Sequence, residues 1–283
     1  MTRRGIALAA IVPSVLAIWG FAIEPATLRV VESPVAVPGW AAGAPLRVVL
    51  LADLHVGSPW NGPDRLREVV RRANAADPDL ILLLGDYVSR GTIGGRYVTP
   101  EAIEAIVRDL RAPLGVYAVL GNHDLALNGR RITRALERAG IRVLTDRAVR
   151  IDPGDGRHAA FWLAGVSDIL RGPHDVRGTL AQVTDDAPVL LMTHNPDLFP
   201  EVPPHVALTV AGHTHGGQVF IPLVGRPIVP SVHGERYAAG LVVEEGRRLF
   251  VATGIGTSIL PVRFLVPPEI TLLVIEPAPA PRP

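Results

Sequence analysis

Short apolar runs alternate with amphipathic segments along most of this chain. Residues 46–51, 80–84 and 116–120 are almost continuously apolar, which is typical of strands buried on both faces. Between them, residues 63–76 and 100–110 place apolar side chains at the i, i+3, i+4 and i+7 spacing of one helical face. The order strand, helix, strand, helix, strand predicts parallel neighbouring strands whose carboxyl ends meet at one edge of a sheet.

The second half of the chain continues this alternation without an internal repeat. Residues 130–139 predict another helix, and residues 24–45, which hold four prolines, predict a partial linker with a possible edge strand at 27–32. Further strands are predicted at residues 142–144, 161–164, 189–192, 206–210, 220–225, 237–243, 249–252 and 270–275. The alternation as a whole predicts an α/β fold.

Metal-binding and acid-base side chains follow directly after several of these apolar runs. They are Asp53, His55, Asp86, Asn122, His123, Asp124, His194, His213 and His215. One such residue at a strand end is commonplace, but a series of them is expected when several strands deliver ligands to one edge of a sheet. The chain has no cysteine, so His, Asp and Asn must hold any metal. The pattern predicts a two-metal hydrolytic site.

Asp86 is the predicted bridge between the two metals. Hydrolysis of a phosphate ester needs a nucleophile at neutral pH and neutralisation of charge on the phosphate oxygens. Two ions roughly 3.5–4 Å apart that share a hydroxide supply both, and they require a bridging carboxylate. Asp86 lies centrally among the strand ends, in an apolar stretch that offers it no other partner.

Composition narrows the class of protein. With 283 residues and 48% hydrophobic content, the chain is long enough for one large α/β domain with a sizeable core. Its formal net charge is +1, which indicates no nucleic-acid partner.

Residues 1–24 predict a membrane anchor or signal segment. Arg3 and Arg4 precede an uncharged stretch at 5–23, whose length at ~1.5 Å per residue nearly matches a hydrocarbon core of roughly 30 Å. This predicts one transmembrane helix in the cell membrane, with the rest of the chain on the extracytoplasmic side. Cleavage of a signal peptide, followed by export of a soluble protein, is the alternative, although no small-x-small site follows closely.

The ordered motifs Asp-x-His, Gly-Asp, Gly-Asn-His-Asp, His and Gly-His-x-His resemble the calcineurin-like metallophosphoesterase superfamily over residues 46–276. Membrane-anchored or exported bacterial members of phosphodiesterase type are most similar, because they share the Gly-His-Thr-His-Gly-Gly-Gln block and a late Arg-x-x-x-x-Pro-Glu segment, here 263–269. The resemblance implies a four-layer α/β/β/α sandwich of two mixed sheets, with a dinuclear metal site at the carboxyl ends of the strands. The domain would span 25–276, followed by a disordered Pro/Ala tail at 277–283.

The resemblance also implies a role for each candidate residue. His123 would face the substrate and stabilise charge or protonate the leaving oxygen, with Asp124 orienting it. Purple phosphatases in the superfamily carry a tyrosine ligand at the position that Ser89 holds here, so we expect Mn, Fe or Zn without a tyrosine ligand. The implied metal ligands are Asp53, His55 and His215 for one ion, Asn122, His194 and His213 for the other, and Asp86 for both.

The predicted function is that of a metal-dependent phosphoesterase, specifically a phosphodiesterase, in which a hydroxide bridging the metals attacks a phosphate ester at the membrane surface. A lipid or a cell-wall component is the expected substrate. Two alternatives stay open. One is a pyrophosphate hydrolase acting on a nucleotide-linked lipid precursor of the UDP-diacylglucosamine type, and the other is a non-catalytic scaffold stabilised by metal. The sequence leaves the native metal and the oligomeric state open.

Overall fold

The computed structural model describes residues 3–40 and 43–278, with side chains from residue 11 onward. Its α-helices are α1 (Arg3–Ile18), α2 (Pro63–Ala75), α3 (Pro100–Val107), α4 (Asn122–Arg138) and α5 (Val176–Leu180). Its strands are β1 (Arg29–Val37), β2 (Leu46–Leu51), β3 (Leu80–Leu83), β4 (Val116–Ala118), β5 (Arg142–Val143), β6 (Arg147–Ile151), β7 (Phe161–Gly165), β8 (Val189–Met192), β9 (Val206–Ala211), β10 (Gly240–Glu244), β11 (Arg247–Val251) and β12 (Glu269–Pro277).

These strands form two sheets of six strands each. The first has the order β1-β12-β2-β3-β4-β5, and the second has the order β10-β11-β9-β8-β7-β6. The central strands β2, β3 and β4 are parallel, as are β7, β8 and β9, whereas β12, β6 and β10 each make an antiparallel pair. The prediction of two mixed sheets is therefore confirmed.

Alternate residues of the central strands pack on opposite faces of the first sheet. In β2, Val48 and Leu50 join the core between the two sheets, while Val49 and Leu51 join the core beneath α2, α3 and α4. Side chains of a strand alternate between its faces, so a strand buried on both sides must be apolar at every position. This explains the continuous apolar runs in the sequence.

The outer face of the second sheet is covered by shorter helical segments than the outer face of the first sheet. Its core contains Leu198, Phe199 and Tyr237, which lie in two 3₁₀ turns, together with Val176 of the short helix α5. The layers are therefore three longer helices, two sheets, and a fourth layer of short helical turns.

The predicted transmembrane helix is not supported. Among the described residues, no helix is both long enough and apolar enough to cross a bilayer. The α-helical part of the apolar stretch ends at Ile18, and the chain continues as a π-helical turn at Trp19–Ile23 and a 3₁₀ turn at Glu24–Ala26.

The structure also differs from the prediction in three short segments. The predicted partial linker contains strand β1, which lies where a possible edge strand was predicted at 27–32 but runs further, to Val37, and pairs with β12 along nine residues at the edge of the sheet, where Pro34 is tolerated. Residues 220–225 form a turn closed by a bridge between Ile221 and Gly225, instead of a strand. In the predicted Pro/Ala tail, Pro277 ends β12, and 279–283 lie outside the described residues.

Candidate metal centre

The two facing sheets bring all of the predicted metal ligands to one edge of the sandwich. Asp53 and His55 follow β2, Asp86 follows β3, and Asn122 begins α4 just after β4. His194 follows β8, and His213 and His215 follow β9. Because the carboxyl ends of both sets of parallel strands lie at the same edge, residues far apart in the chain become neighbours.

Asp53, His55 and His215 form the first ligand group. One ligand atom from each lies within 4.8 Å of the others, and all three side chains are buried. His215 Nε2 is 3.7 Å from Asp53 Oδ1, and the rings of His55 and His215 stack at 5.0 Å. Both ring nitrogens of His55 and Nδ1 of His215 are buried without a hydrogen-bond partner among the described residues. Unpartnered buried imidazole nitrogens are what a metal ligand offers.

Asp86, His194 and His213 form the second ligand group, which Asn122 joins. His194 Nε2 lies 3.4 Å from Asp86 Oδ2, 3.1 Å from His213 Nδ1 and 3.1 Å from Asn122 Oδ1. His194 Nδ1 is 2.7 Å from the carbonyl oxygen of Leu84 and donates to it, which leaves Nε2 free to act as a ligand. Four donor atoms thus converge on one point.

Asp86 links the two groups. Its Oδ2 lies 3.5 Å from His55 Nε2 as well as 3.4 Å from His194 Nε2, while its Oδ1 accepts a hydrogen bond of 2.9 Å from the backbone N–H of His123. The carboxylate oxygens and imidazole nitrogens of both groups are the donors that divalent Mn, Fe and Zn accept. The residues are therefore arranged to bind divalent metal ions, with Asp86 between the two groups.

Burial shifts the pKa values of the first ligand group and of His213, and so sets their protonation states. It lowers the pKa of His55 to about 4, the pKa of His213 to about 3 and the pKa of His215 well below its usual value. These imidazoles are therefore neutral at pH 7, the form that binds a metal. Burial also raises the pKa of Asp53 to about 7, so a cation beside it would favour the ionised carboxylate that a ligand must provide.

Asp86 and His194 favour each other's charged forms, so a cation that binds at His194 Nε2 must displace the proton there. Burial acts to raise the pKa of Asp86, but the imidazoles of His194, His55 and His123 outweigh it and hold this pKa well below the usual range. The pKa of His194 is raised, because the Asp86 carboxylate outweighs the effect of burial. Asp86 is thus already ionised and ready to bind cations.

His123 lies at the boundary between the ligands and solvent. Its side chain is 25% exposed, its Nε2 is 4.0 Å from Asp86 Oδ2, and its ring packs edge-on against His55 at 5.0 Å. It lines a cleft of about 480 Å³ that opens from the ligand groups, together with Asp86, Asn122, His213 and His215. This position allows contact with a substrate, and the catalytic role of His123 stays a prediction.

Asp124 holds the turn that carries Asp86. Its buried carboxylate accepts hydrogen bonds from the backbone N–H groups of Asp86 at 2.7 Å, Tyr87 at 2.9 Å and Gly121 at 3.0 Å. These three bonds all go to the backbone, so they fix the position of Asp86 and the start of α4. The role of orienting the His123 ring, which the resemblance implied, stays a prediction.

The backbone of the ligands adopts a conformation that sequence reasoning missed. Left-handed φ values are uncommon for residues other than glycine and cluster at functional sites. Five of the predicted ligands have them: Asp53 (50°), His55 (37°), Asp86 (57°), His213 (69°) and His215 (53°). Glycine makes the close approach possible, because a Cβ on Gly121 would lie 2.1 Å from Asp86 Oδ1. The Gly-Asn-His-Asp motif is the sequence signal for this contact.

Arg263 fixes the backbone segment that packs against the first ligand group. Its side chain is completely buried, and it donates to the carbonyl oxygens of Gly256 at 2.6 Å, Val266 at 3.0 Å and Thr253 at 3.1 Å. These bonds hold residues 253–266 against the first ligand group. The sequence signal for this role is an arginine inside an apolar stretch, here at the start of the late Arg-x-x-x-x-Pro-Glu segment.

Comparison with known proteins agrees with this geometry. The family model described as calcineurin-like phosphoesterase matches residues 46–217, a range that contains all seven predicted metal ligands, His123 and Asp124. This match confirms the resemblance. The chain is 31% identical over 232 residues to the metallophosphoesterase YkuE of Bacillus subtilis, covering 81% of this chain and 79% of that protein. It is 32% identical over 240 residues to the phosphodiesterase YaeI of Escherichia coli, and the match covers 81% of this chain and 82% of that protein. It is 28% identical over 308 residues to the UDP-2,3-diacylglucosamine pyrophosphatase LpxG of Chlamydia trachomatis, and the match covers 90% of this chain and 92% of that protein.

Proposed function

Because the chain belongs to the calcineurin-like phosphoesterase family, whose members hydrolyse phosphoester bonds, we propose that it is a phosphodiesterase that works with two divalent metal ions. The observation that carries this proposal is the position of Asp86, whose Oδ2 lies within 3.5 Å of an imidazole nitrogen in each ligand group. A carboxylate between two sets of ligands is the arrangement that a pair of metals requires.

The chain contributes binding, orientation and proton transfer. The two metals, when bound, activate a water molecule and neutralise charge on the phosphate. Asp53, His55 and His215 would hold one of them, and Asn122, His194 and His213 the other. His123 borders the cleft beside these ligands, where its Nε2 donates a proton to the leaving oxygen.

Two observations favour a diester over a monoester. A diester keeps one organic group on the phosphorus after cleavage, and the cleft of about 480 Å³ extends beyond the ligands to accommodate it. The similarity to the phosphodiesterase YaeI, which covers 81% of this chain, points the same way.

We place this activity on the extracytoplasmic side of the cell membrane. Arg3 and Arg4 precede the apolar stretch, and the large side chains of Val12, Val15 and Phe21 within it are exposed to solvent. A periplasmic reporter fused to the C-terminus tests this placement. The reporter is active if the catalytic domain is exported and inactive if it faces the cytoplasm.

A pyrophosphate hydrolase is the second candidate function, because the similarity to LpxG covers 90% of this chain. A nucleotide-linked lipid pyrophosphate as substrate would require the domain to face the cytoplasm. The reporter fusion therefore separates this candidate from the first.

The experiment that tests the proposal uses the full chain, purified in detergent and loaded with manganese. Hydrolysis of an aryl phosphodiester, an aryl phosphomonoester and a UDP-linked pyrophosphate is measured side by side, with and without a chelator. We expect preferential cleavage of the diester, abolished by the chelator. Cleavage of the pyrophosphate alone would replace the proposal with the second candidate, and no turnover of any substrate by the metal-loaded protein would favour a scaffold.

A further inference from the structure

We infer that the substrate is an amphiphilic phosphodiester whose apolar chain, attached next to the scissile phosphate, lies in the outer part of the cleft. The inference rests on the proposed phosphodiesterase function, which places the phosphate at the metal ligands. We call this outer part the apolar wall, and its residues are Leu170, Val219, Ile228, Ile259, Leu260 and Val262.

Apart from the Ser258 hydroxyl, the outer part of the cleft offers few groups to a polar substituent. Beyond the ligands and His123, the described lining residues carry no charged side chain. Gln218 is polar, but its Nε2 donates to the carbonyl oxygen of Leu260 at 3.2 Å and its Oε1 accepts from the backbone N–H of Ser258 at 2.7 Å. Thr214 Oγ1 donates to the carbonyl oxygen of Ala238 at 2.8 Å. A sugar or a nucleotide base would lose its hydrogen bonds with water here, whereas an alkyl chain has none to lose.

The apolar wall is also unusually exposed. Ile228 is 75% exposed, Ile259 is 71% exposed and Leu170 is 57% exposed. Single exposed apolar residues are ordinary, but several around one cleft indicate a surface that is covered when a ligand binds.

Two of the loops that form the apolar wall are held in place by hydrogen bonds. Ile259 has φ = 60°, an outlier for a β-branched residue, and its carbonyl oxygen accepts from the backbone N–H of Ile93 at 2.9 Å. In the loop that carries Leu170, Asp168 Oδ1 accepts from the backbone N–H of Leu170 and of Arg171, each at 3.0 Å. Strain that is maintained by surrounding contacts is typical of a binding surface.

The apolar wall continues into the N-terminal segment. The backbone N–H of Arg263 donates to the carbonyl oxygen of Gly20 at 2.9 Å, and a Cβ on Gly20 would lie 3.4 Å from Val262. Buried Glu24 accepts from the backbone N–H of Leu265 at 2.9 Å. The N-terminal segment, which includes the exposed Phe21, is therefore held against residues 262–265, which directly follow Ile259 and Leu260 in the chain.

Dependence on chain length tests the inference. The probes are p-nitrophenyl phosphodiesters whose second group is methyl, butyl or octyl, each used below its critical micelle concentration with the manganese-loaded full chain. Each buried methylene contributes favourably to transfer from water, so we expect kcat/KM to be at least about tenfold higher for the octyl ester than for the methyl ester. A ratio near one, with the methyl ester hydrolysed, overturns the inference and leaves the phosphodiesterase function intact.

Variants of the apolar wall localise the effect. Ile228→Ser and Leu260→Ser should each lower the octyl-to-methyl ratio by about threefold or more, because each removes apolar contact area. Val243→Ser is the matched control, since Val243 is a 54% exposed β-branched residue of β10 that does not line the cleft. An equal fall of the ratio in the control would also overturn the inference.

A binding measurement keeps the inference testable without turnover. Octyl phosphonate and methyl phosphonate are titrated into the manganese-loaded protein by calorimetry, and we expect the octyl compound to bind at least about tenfold more tightly. Absence of hydrolysis of all three esters would reject the proposed function, and the phosphonate comparison would still decide whether an apolar chain binds in the cleft. Equal binding of the two phosphonates would reject the apolar-chain inference.

Discussion

The two ends of the cleft are built in opposite ways. The ligand end, formed by the seven predicted ligands, comes from residues that directly follow strands or begin α4, and most of these side chains are buried. The apolar wall comes from loops, and its large side chains are exposed. Strands hold atoms rigidly, while loops vary between related proteins. The comparison teaches that the sheets determine the chemistry of this site and that the loops determine which substrate reaches it.

Each end of the cleft carries a cost in free energy when nothing is bound to it, and the physical reason differs between the two ends. The ligand end buries ionisable groups and places Asp53, Asp86 and His213 in left-handed backbone conformations. The apolar wall leaves Ile228 and Ile259 in water. Each cost is offset when something binds, a cation at the ligand end and an alkyl chain at the apolar wall. Changes at the ligand end should therefore affect metal binding and chemistry, and changes at the apolar wall should affect selectivity.

The largest effect should come from Asp86→Ala. This change removes the carboxylate that contacts both ligand groups, so we expect kcat/KM for the aryl diester to fall by at least about a thousandfold. Bound metal, measured by elemental analysis, should fall at both sites. Asp64→Ala, at a fully exposed carboxylate of α2, is the control and should change neither quantity. An unchanged rate in Asp86→Ala would exclude the two-metal assignment.

His123→Ala should lower kcat by about 10²- to 10⁴-fold, the usual contribution of a positioned general acid, while the metal content stays the same. The loss should be smaller for a p-nitrophenolate leaving group than for an alkoxide, because p-nitrophenolate departs without a proton. The exposed His205→Ala serves as the control. Loss of metal in His123→Ala would instead make His123 a ligand, which its distance of 4.0 Å from Asp86 Oδ2 permits.

Gly121→Ala should destabilise the ligand end specifically. Gly62 and Gly121 both precede helices in extended backbone, with φ of −88° and −89°, so alanine at either position loses the same N-cap preference. A Cβ on Gly62 meets nothing within 4 Å, whereas one on Gly121 collides with Asp86. We expect the free energy of unfolding to fall by about 1–3 kcal/mol more in Gly121→Ala than in Gly62→Ala, measured by urea denaturation. Equal values would show that the turn adjusts without strain.

The smallest effect should come from Ile228→Ser. The side chain is already 75% exposed, so its removal should change the free energy of unfolding by no more than about 0.5 kcal/mol, as for Val243→Ser. Urea denaturation of both variants checks this. A loss of 2 kcal/mol or more, roughly the value of a buried side chain, would show that the apolar wall packs as core and would weaken the contrast between the two ends.

The pattern of apolar residues along the chain is sufficient where the signal is local. Apolar runs located β2, β3, β8 and β9, and the residues that follow them are the ones that meet at the ligand end. This pattern is insufficient where a distant partner decides the outcome. Only the first part of strand β1 was predicted, as a possible edge strand at 27–32, because its full length depends on pairing with β12. The apolar N-terminal stretch leaves the α-helical conformation after Ile18, near the point where Gly20 contacts residues 262–263. Hydropathy reports the cost of transferring a residue from water and cannot identify the neighbour that replaces the water.

By itself, the sequence determined which residue types stand at the ends of the buried strands, because periodicity and short motifs are properties of neighbouring positions. Only the tertiary structure decided which atoms meet. The 3.1 Å contact between His194 and Asn122 and the left-handed backbone of Asp86 are examples. The apolar wall, which joins Leu170, Ile228 and Ile259, is another. Each depends on the approach of segments separated by tens of residues, and packing of the whole molecule selects that approach.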